Sequence, residues 1–230
     1  MSTMLDLSHL AAQASREFEG ATALEIMGWA HEEFGGGLVV TSSLADMVMI
    51  SLAERVAPGI DVLFLDTGYH FVETIGTREA VRLVHDVNLV NVLPELTVAE
   101  QDAAYGKDLF RNAPDQCCGM RKVAPLDKAL AGYEAWVTGL RREETPHRAN
   151  AAPVEWDEHH QMVKINAIVD WTFDHVVAYA EENLVVVNPL LSQGYPSIGC
   201  APCTRKVAPG EDPRAGRWSG VGKTECGIHL

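Results

Sequence analysis

The spacing of apolar and polar positions changes several times along the chain, and each change marks an element. Residues 4–34 carry apolar anchors at helical spacing, among them Phe18, Leu24, Ile26 and Trp29, which predicts two amphipathic helices ending at Gly35-Gly36-Gly37. Residues 38–40 form a short, wholly apolar strand, followed by a small-residue turn at 41–46 and an apolar helix over 47–56. A second strand at 60–65 closes on Asp66-Thr67-Gly68, a helix covers 73–86, and a third strand covers 89–93. A fourth strand at 134–138 runs into Gly139-Leu140-Arg141-Arg142-Glu143-Glu144. Strands alternating with helices predict an α/β fold with a doubly wound, mostly parallel sheet.

Between 146 and 164 the pattern is weak, and residues 162–165 read as an edge strand. Asn166 is then expected to cap a helix whose buried stripe is Ile168, Trp171, Phe173, Val176, Val177 and Ala180. From Val207 onward glycine and proline are frequent and apolar residues sparse, the composition of a mobile tail. The division expected is an α/β domain over 1–204 and a flexible tail over 205–230.

With 230 residues and 47% hydrophobic content, the chain can bury the core of one large domain. No apolar run is long enough to span a bilayer, so no membrane partner is expected. The first ten residues lack the basic and apolar regions of a signal peptide, which points to the cytoplasm. A net charge of −14 argues against nucleic acid as a partner and requires any anionic ligand to find a local basic site. Two such places exist: Arg121-Lys122, and the stretch holding Arg205, Lys206, Arg214, Arg217 and Lys223.

Two strand ends add to the picture. The 41–46 turn (Thr41, Ser42, Ser43, Asp46) joins a strand to a helix start, where backbone N–H groups can cradle an anion. Asp66 and the Arg141-Arg142 pair stand at C-terminal strand ends, the side on which open α/β sheets bind ligands. Arginine there suits phosphate or sulfate through its planar set of donors.

The five cysteines fall into two pairs and a remainder. Cys200 and Cys203 have the spacing of ligands to one metal or cluster, Cys117 and Cys118 are adjacent, and Cys226 stands beside His229 near the end. In a cytoplasmic protein such cysteines bind metal or react. Four thiols suit either a [4Fe–4S] cluster or a Cys₄ zinc site, with the fifth left for chemistry.

Taken together, several stretches identify a family. They are LDTGYHFVET at 65–74, CCGMRKVAPL at 117–126, GLRREE at 139–144, GYPSIGCAPCT at 194–204, RAGRW at 214–218 and ECGIH at 225–229. In this order and spacing the chain resembles the iron–sulfur assimilatory sulfonucleotide reductases, the adenylyl-sulfate (APS) branch in particular. The resemblance implies an adenine-nucleotide α-hydrolase-like sheet related to the pyrophosphatase-loop enzymes. The ATP-using members of that wider group have a Ser-Gly-Gly-x-Asp-Ser loop, whereas Ser42-Ser43-Leu44-Ala45-Asp46 stands here. Loss of both glycines argues against ATP cleavage. After Trp218 the further tryptophans frequent in the family are replaced by Ser219-Gly220-Val221-Gly222.

The resemblance implies a thioredoxin-dependent reduction of APS to sulfite and AMP. Cys226 is the nucleophile, and Lys223, His229 and the basic pocket favour its thiolate form. Thr41, Ser42, Ser43, Asp46, Lys122, Arg141, Arg142, Arg214 and Arg217 are expected around the phosphosulfate, with Asp66 near the nucleoside. Cys117, Cys118, Cys200 and Cys203 are expected to hold a [4Fe–4S] cluster, and a homo-oligomer is expected. Alternatives are the 3′-phosphorylated substrate (PAPS), a tRNA-thiolating relative, or a zinc-stabilised nucleotide-binding module without turnover. The tRNA reading lacks its ATP loop and basic surface, and the module leaves Cys226 unused.

Overall fold

Strands β1 (Leu38–Thr41), β2 (Asp61–Leu65), β3 (Asn88–Val92) and β4 (Ala135–Val137) form where the apolar runs predict them. A computed structural model describes residues 4–220, 223 and 225–229, with side chains from residue 7 onward. Two further strands, β5 (Val154–Asp157) and β6 (Met162–Ile165), complete a six-stranded sheet of order β3-β2-β1-β4-β6-β5. All neighbours are parallel except β5 and β6, an antiparallel pair.

The expected edge strand at 162–165 therefore lies inside the sheet, between β4 and β5, and the edge is β5. The pairs Glu155↔Lys164 and Asp157↔Met162 put charged residues on that edge strand and disguise it as a loop. Asn166 does not cap a helix either. It is fully buried, accepts from the Thr138 hydroxyl at 2.9 Å and donates to the Ala152 carbonyl at 2.8 Å. The last helix begins at Phe173, where the Thr172 side chain accepts from His175 N.

The inner parallel strands β1, β2 and β4 are buried on both faces, as such strands must be when helices cover both sides, whereas the edge strand β3 is only partly buried. Leu38, Val40, Val62, Phe64, Val137, Val163 and Ile165 face the larger core, which takes in α1 (Met4–Glu17), α2 (Ala23–Phe34), α3 (Val48–Val56) and α9 (Phe173–Glu182). The alternate residues Val39, Leu63, Trp136 and Met162 face a smaller core completed by Leu126 and Leu130. Between β2 and β3 runs α4 (Val72–Val84), and after β3 come α5 (Val98–Tyr105) and α6 (Leu109–Asn112).

One further helical run positions the chemistry. It starts as α7 (Pro114–Cys118), widens to a π turn at Gly119–Val123, and continues as α8 (Ala124–Leu130). The π turn changes the angular spacing of Cys117, Cys118 and Lys122 within one continuous helix; such turns concentrate at functional sites.

Candidate active site

Strand order reverses direction between β1 and β4, and a cavity of about 250 Å³ opens at the C-terminal ends of these strands. This is the crevice where open α/β sheets take ligands. Its floor is the turn after β1. Ser42 Oγ accepts from Leu44 N at 3.2 Å, and Asp46 Oδ1 accepts from Val48 N at 3.0 Å. Leu44 adopts a left-handed φ of 57°, so the turn is held tightly without the usual glycine. Burial raises the Asp46 carboxyl above its ordinary range.

Around this floor stand five cationic side chains, Lys122, Arg141, Arg148, Arg214 and Arg217, against two acids, Asp46 and Glu144. A positive cavity in a chain of net charge −14 marks an anion site. Arg217 is its most constrained member. Its guanidinium lies 4.5 Å from the Trp218 ring centre and donates to Ser197 Oγ and the Ile198 carbonyl, both at 3.2 Å. Its buried Nε has no partner among the described residues. Gly199 makes this placement possible, because a Cβ there would come within 2.4 Å of the guanidinium. Burial pulls the Arg217 pKa down, helped by the Arg214 charge.

Trp218 forms the wall between this cavity and a second, smaller pocket lined by Cys117, Cys118, Cys200 and Cys203. The four cysteines the sequence paired are thus gathered in one place. The remaining walls are Tyr69, Phe110, Pro114 and Trp218, with Arg121 and Lys122 as the charged neighbours. Arg121 is buried; it donates to the Thr67 carbonyl and to Gln101 Oε1, tying the helix to the loop after β2. Thr67 Oγ1 lies 3.2 Å from Cys200 Sγ.

Burial, reinforced by the other sulfurs, pushes the Cys117 and Cys203 thiols up to about 11, and burial raises Cys118. Four such groups ionise together only around a cationic core, so the donor set fits a metal centre. Among the described residues the one trio of metal-capable ligand atoms mutually within 4.8 Å is Asp127, His159 and His160, so no three cysteine sulfurs approach that closely.

Cys226 lies apart from these four, half-buried on the wall of the larger cavity. Burial alone would lower the Lys122 pKa, but negative charge on Cys200, Cys226 and Cys118 outweighs it and raises it. Arg217 also senses the Cys226 sulfur. His229 plays a different part from the expected cation. Burial, then the charges of Lys164 and Arg148, drive its pKa well down, and the neutral ring stacks on Trp136 at 5.8 Å. The positive charge facing Cys226 therefore comes from Lys122 and Arg217.

Two kinds of contact hold the end of the chain. Residues 203–218 are stitched by backbone hydrogen bonds, Arg205 N to Gly216 O, Val207 N to Gly194 O and Trp218 N to Cys203 O. From residue 223 the contacts are side-chain ones. Glu225, buried beside Cys226, accepts from Arg148 Nε at 3.0 Å and Nη2 at 2.7 Å and from Thr145 Oγ1 at 3.0 Å. Arg214 comes within 3.6 Å of the same carboxylate. Lys223 pairs with Asp115, and Ile228 packs into the smaller core. Val221, Gly222, Thr224 and Leu230, part of the tail expected from the sequence, lie outside the described residues.

The cavity thus collects Thr41, Ser42, Ser43, Asp46, Lys122, Arg141, Arg214, Arg217, Cys226 and His229. Arg142 and Asp66 do not line it. Arg141 has extended backbone, so the next side chain points the other way. Arg142 pairs instead with Glu19 and Asp170 and donates to the Ala151 carbonyl. Asp66 pairs with Arg78 at 2.9 Å and accepts from Gly68 N. The sequence reading missed Arg148, Glu225 and Trp218. The Glu in ECGIH and the Trp in RAGRW were in view, but nothing local announces their partners.

Comparison with known proteins agrees with this geometry. The profile described as "Phosphoadenosine phosphosulfate reductase domain" matches residues 37–206. The chain is 56% identical over 229 residues to the adenosine 5'-phosphosulfate reductase of Mycolicibacterium smegmatis, covering 100% of this chain and 97% of that protein. To the enzyme of the same name from Streptomyces coelicolor it is 57% identical over 227 residues, covering 99% and 96%. Among solved structures, phosphoadenylyl-sulfate reductase from Candida auris, a phosphate complex, aligns with a TM-score of 0.73 at 25% identity, over 90% of this chain and 98% of that one. Candida glabrata FMN adenylyltransferase, at 11% identity, TM-score 0.57 and coverage of 86% and 72%, shares the fold alone. The chain belongs to the phosphoadenosine phosphosulfate reductase domain family.

Proposed function

We propose that the protein reduces adenylyl sulfate to sulfite and AMP, with Cys226 as the covalent carrier and a thioredoxin-like dithiol as electron donor. The observation that carries this reading is a fifth cysteine, outside the four-cysteine pocket, on the wall of a cationic cavity at the switch point. The names of the relatives at 56–57% identity support APS as the substrate.

In the first half, the Cys226 thiolate attacks the sulfate sulfur. The bond from sulfur to the phosphate oxygen breaks, AMP leaves with that electron pair, and an S-sulfocysteine remains. Thiolate and phosphosulfate are both anionic, so their approach needs fixed positive charge. Lys122, Arg214 and Arg217 supply it, and the free Nε of Arg217 is an unused donor on that wall. The turn at Thr41, Ser42 and Ser43 offers hydroxyls and backbone N–H groups to the same anion. In the second half, a donor thiolate attacks Cys226 Sγ and releases sulfite with the electron pair of the S–S bond. The donor's second thiol then resolves the mixed disulfide, so the donor ends oxidised and Cys226 returns as a thiol.

The donor must reach Cys226 Sγ, so the end of the tail has to leave the cavity. The side-chain clasp of Glu225 on Arg148 and Thr145 is the contact that opens, since the backbone-stitched part ends at Trp218. The four remaining cysteines hold a [4Fe–4S] cluster in this reading. It is supported by the four-thiol donor set gathered in one pocket and by the raised thiols. Held by Cys117, Cys118, Cys200 and Cys203, such a cluster would supply the cationic core that lets four buried thiolates coexist and would tie the Cys200 loop to the helix bearing Lys122. The absence of a membrane-crossing helix among the described residues is compatible with action in the cytoplasm, and a homo-oligomer is part of the proposal.

The test is sulfite release by anaerobically purified protein with a thiol donor and each nucleotide in turn. APS should be turned over far more efficiently than PAPS. Equal kcat/KM for the two, or turnover of PAPS alone, would overturn the substrate assignment.

A further inference from the structure

On the side of the sheet that carries the smaller core, two neighbouring histidines aim at one carboxylate. His159 and His160 sit in the turn between β5 and β6, and their Nε2 atoms lie 3.3 and 3.1 Å from Asp127 Oδ1. Asp127 belongs to α8, so the trio joins two elements far apart in sequence. The other ring nitrogen of His160 is already committed, with Nδ1 2.7 Å from Asp157 Oδ2. That carboxylate is itself fixed by Trp136 Nε1 at 3.1 Å and by the backbone N–H groups of His159 and His160 at 3.0 Å.

We propose that Asp127, His159 and His160 form a binding site for a zinc-like divalent cation. Asp157 takes the Nδ1 side of His160, so the His160 Nε2, the His159 Nε2 and the Asp127 oxygen converge on one point. A cation among these three atoms, all within 4.8 Å of one another, would take the place of the proton that His160 shares with Asp127 and be coordinated by all three. A carboxylate on the far nitrogen is the arrangement that fixes the tautomer of metal-binding histidines. Two imidazoles and one carboxylate are borderline ligands suited to zinc, and the exposed side chains of Asp127 and His159 leave room for water at the open position.

The site has a mechanical link to the cavity. Asp127 continues the helical run that bears Cys117, Cys118 and Lys122, and a bound cation would pin this run to the β5–β6 turn. Trp136 touches the His160 ring with its edge and stacks on His229 of the tail with its face. Zinc would therefore stiffen the surface on which the tail rests.

The test uses cluster-bearing protein purified without air, treated with a chelator too weak to remove its iron, and titrated with zinc sulfate. Zinc and iron are counted before and after. One zinc per chain beyond that already present is expected, with no iron lost and a higher melting temperature. Asp127→Asn at a half-buried position and His159→Ala at an exposed one should each weaken uptake by at least about tenfold. Cys226→Ser should leave it unchanged. No added zinc at 100-fold excess, uptake that displaces iron, uptake lost in Cys226→Ser, or uptake unchanged in the Asp127 and His159 variants would each overturn the proposal.

Discussion

The two cysteine environments differ in what surrounds the same side chain. Cys117, Cys118, Cys200 and Cys203 face one another across a pocket walled by aromatic rings and proline. Burial and mutual repulsion raise three of these thiols, and they become useful thiolates only around a cationic core. Cys226 instead faces Lys122 and Arg217, whose charge suits a thiolate meeting an anion. Trp218 stands between the two, with the cations of Lys122, Arg217 and Lys223 4.5–5.9 Å from its ring centre. Trp218 thus stands between the pocket of paired cysteines and Cys226, with Cys200 bordering both cavities, and in the proposed reading the surroundings assign each cysteine its part.

The sharpest way to break this comparison is to exchange one sulfur for oxygen on each side. Cys226→Ser should lower sulfite release by more than about a thousandfold while iron content and melting temperature stay put, because a serine hydroxyl is neither ionised nor exchangeable with a thiol. Cys203→Ser should lose iron and melt roughly 5 °C lower or more. Iron loss in the first variant, or full iron in the second, would erase the distinction.

Arg217→Ala tests the cationic side. Loss of a buried charge-assisted contact should cost about 2–4 kcal/mol in kcat/KM. Because the side chain also stacks on Trp218, Arg217→Lys serves as a control that keeps the charge and loses the planar fork. Wild-type kinetics in both would remove Arg217 from the anion site.

A smaller effect is expected at the clasp. Glu225→Gln should lower kcat/KM roughly tenfold and speed amide exchange over residues 223–229. Its pH dependence follows from a lowered carboxyl: burial opposes ionisation, but the Arg148 hydrogen bond and charge outweigh it. The clasp is therefore complete above the pKa of a free glutamate, about 4.3, and is lost as pH falls through the lower docked value. The difference in tail protection between wild type and Glu225→Gln should be constant from pH 8 to 6 and vanish in acid. A difference that changes between pH 6 and 8 would mean another group holds the tail.

The inner parallel strands were legible because burial on both faces leaves unbroken apolar runs, as at 38–40 and 62–65. Strand β5 was not, because its polar residues gain partners across the sheet that the sequence does not show, Glu155 on Lys164 and Asp157 on Trp136. Asn166 misled for a related reason: a cap residue and a buried cross-linking amide look alike until Thr138 is seen beside it. In the site, the cysteine pairs and basic motifs came through because they are local in sequence. Arg141 and Arg142 could be told apart only by the backbone that turns one in and the other out. The Arg148–Glu225 pair spans 77 residues and has no local signature.

The division of labour between the cysteines is tested most directly by mass. Wild-type protein incubated with APS and no thiol donor should gain one SO₃ unit, about 80 Da, on the peptide holding Cys226. The same adduct on Cys117, Cys118, Cys200 or Cys203, or sulfite released with no adduct at any cysteine, would contradict it.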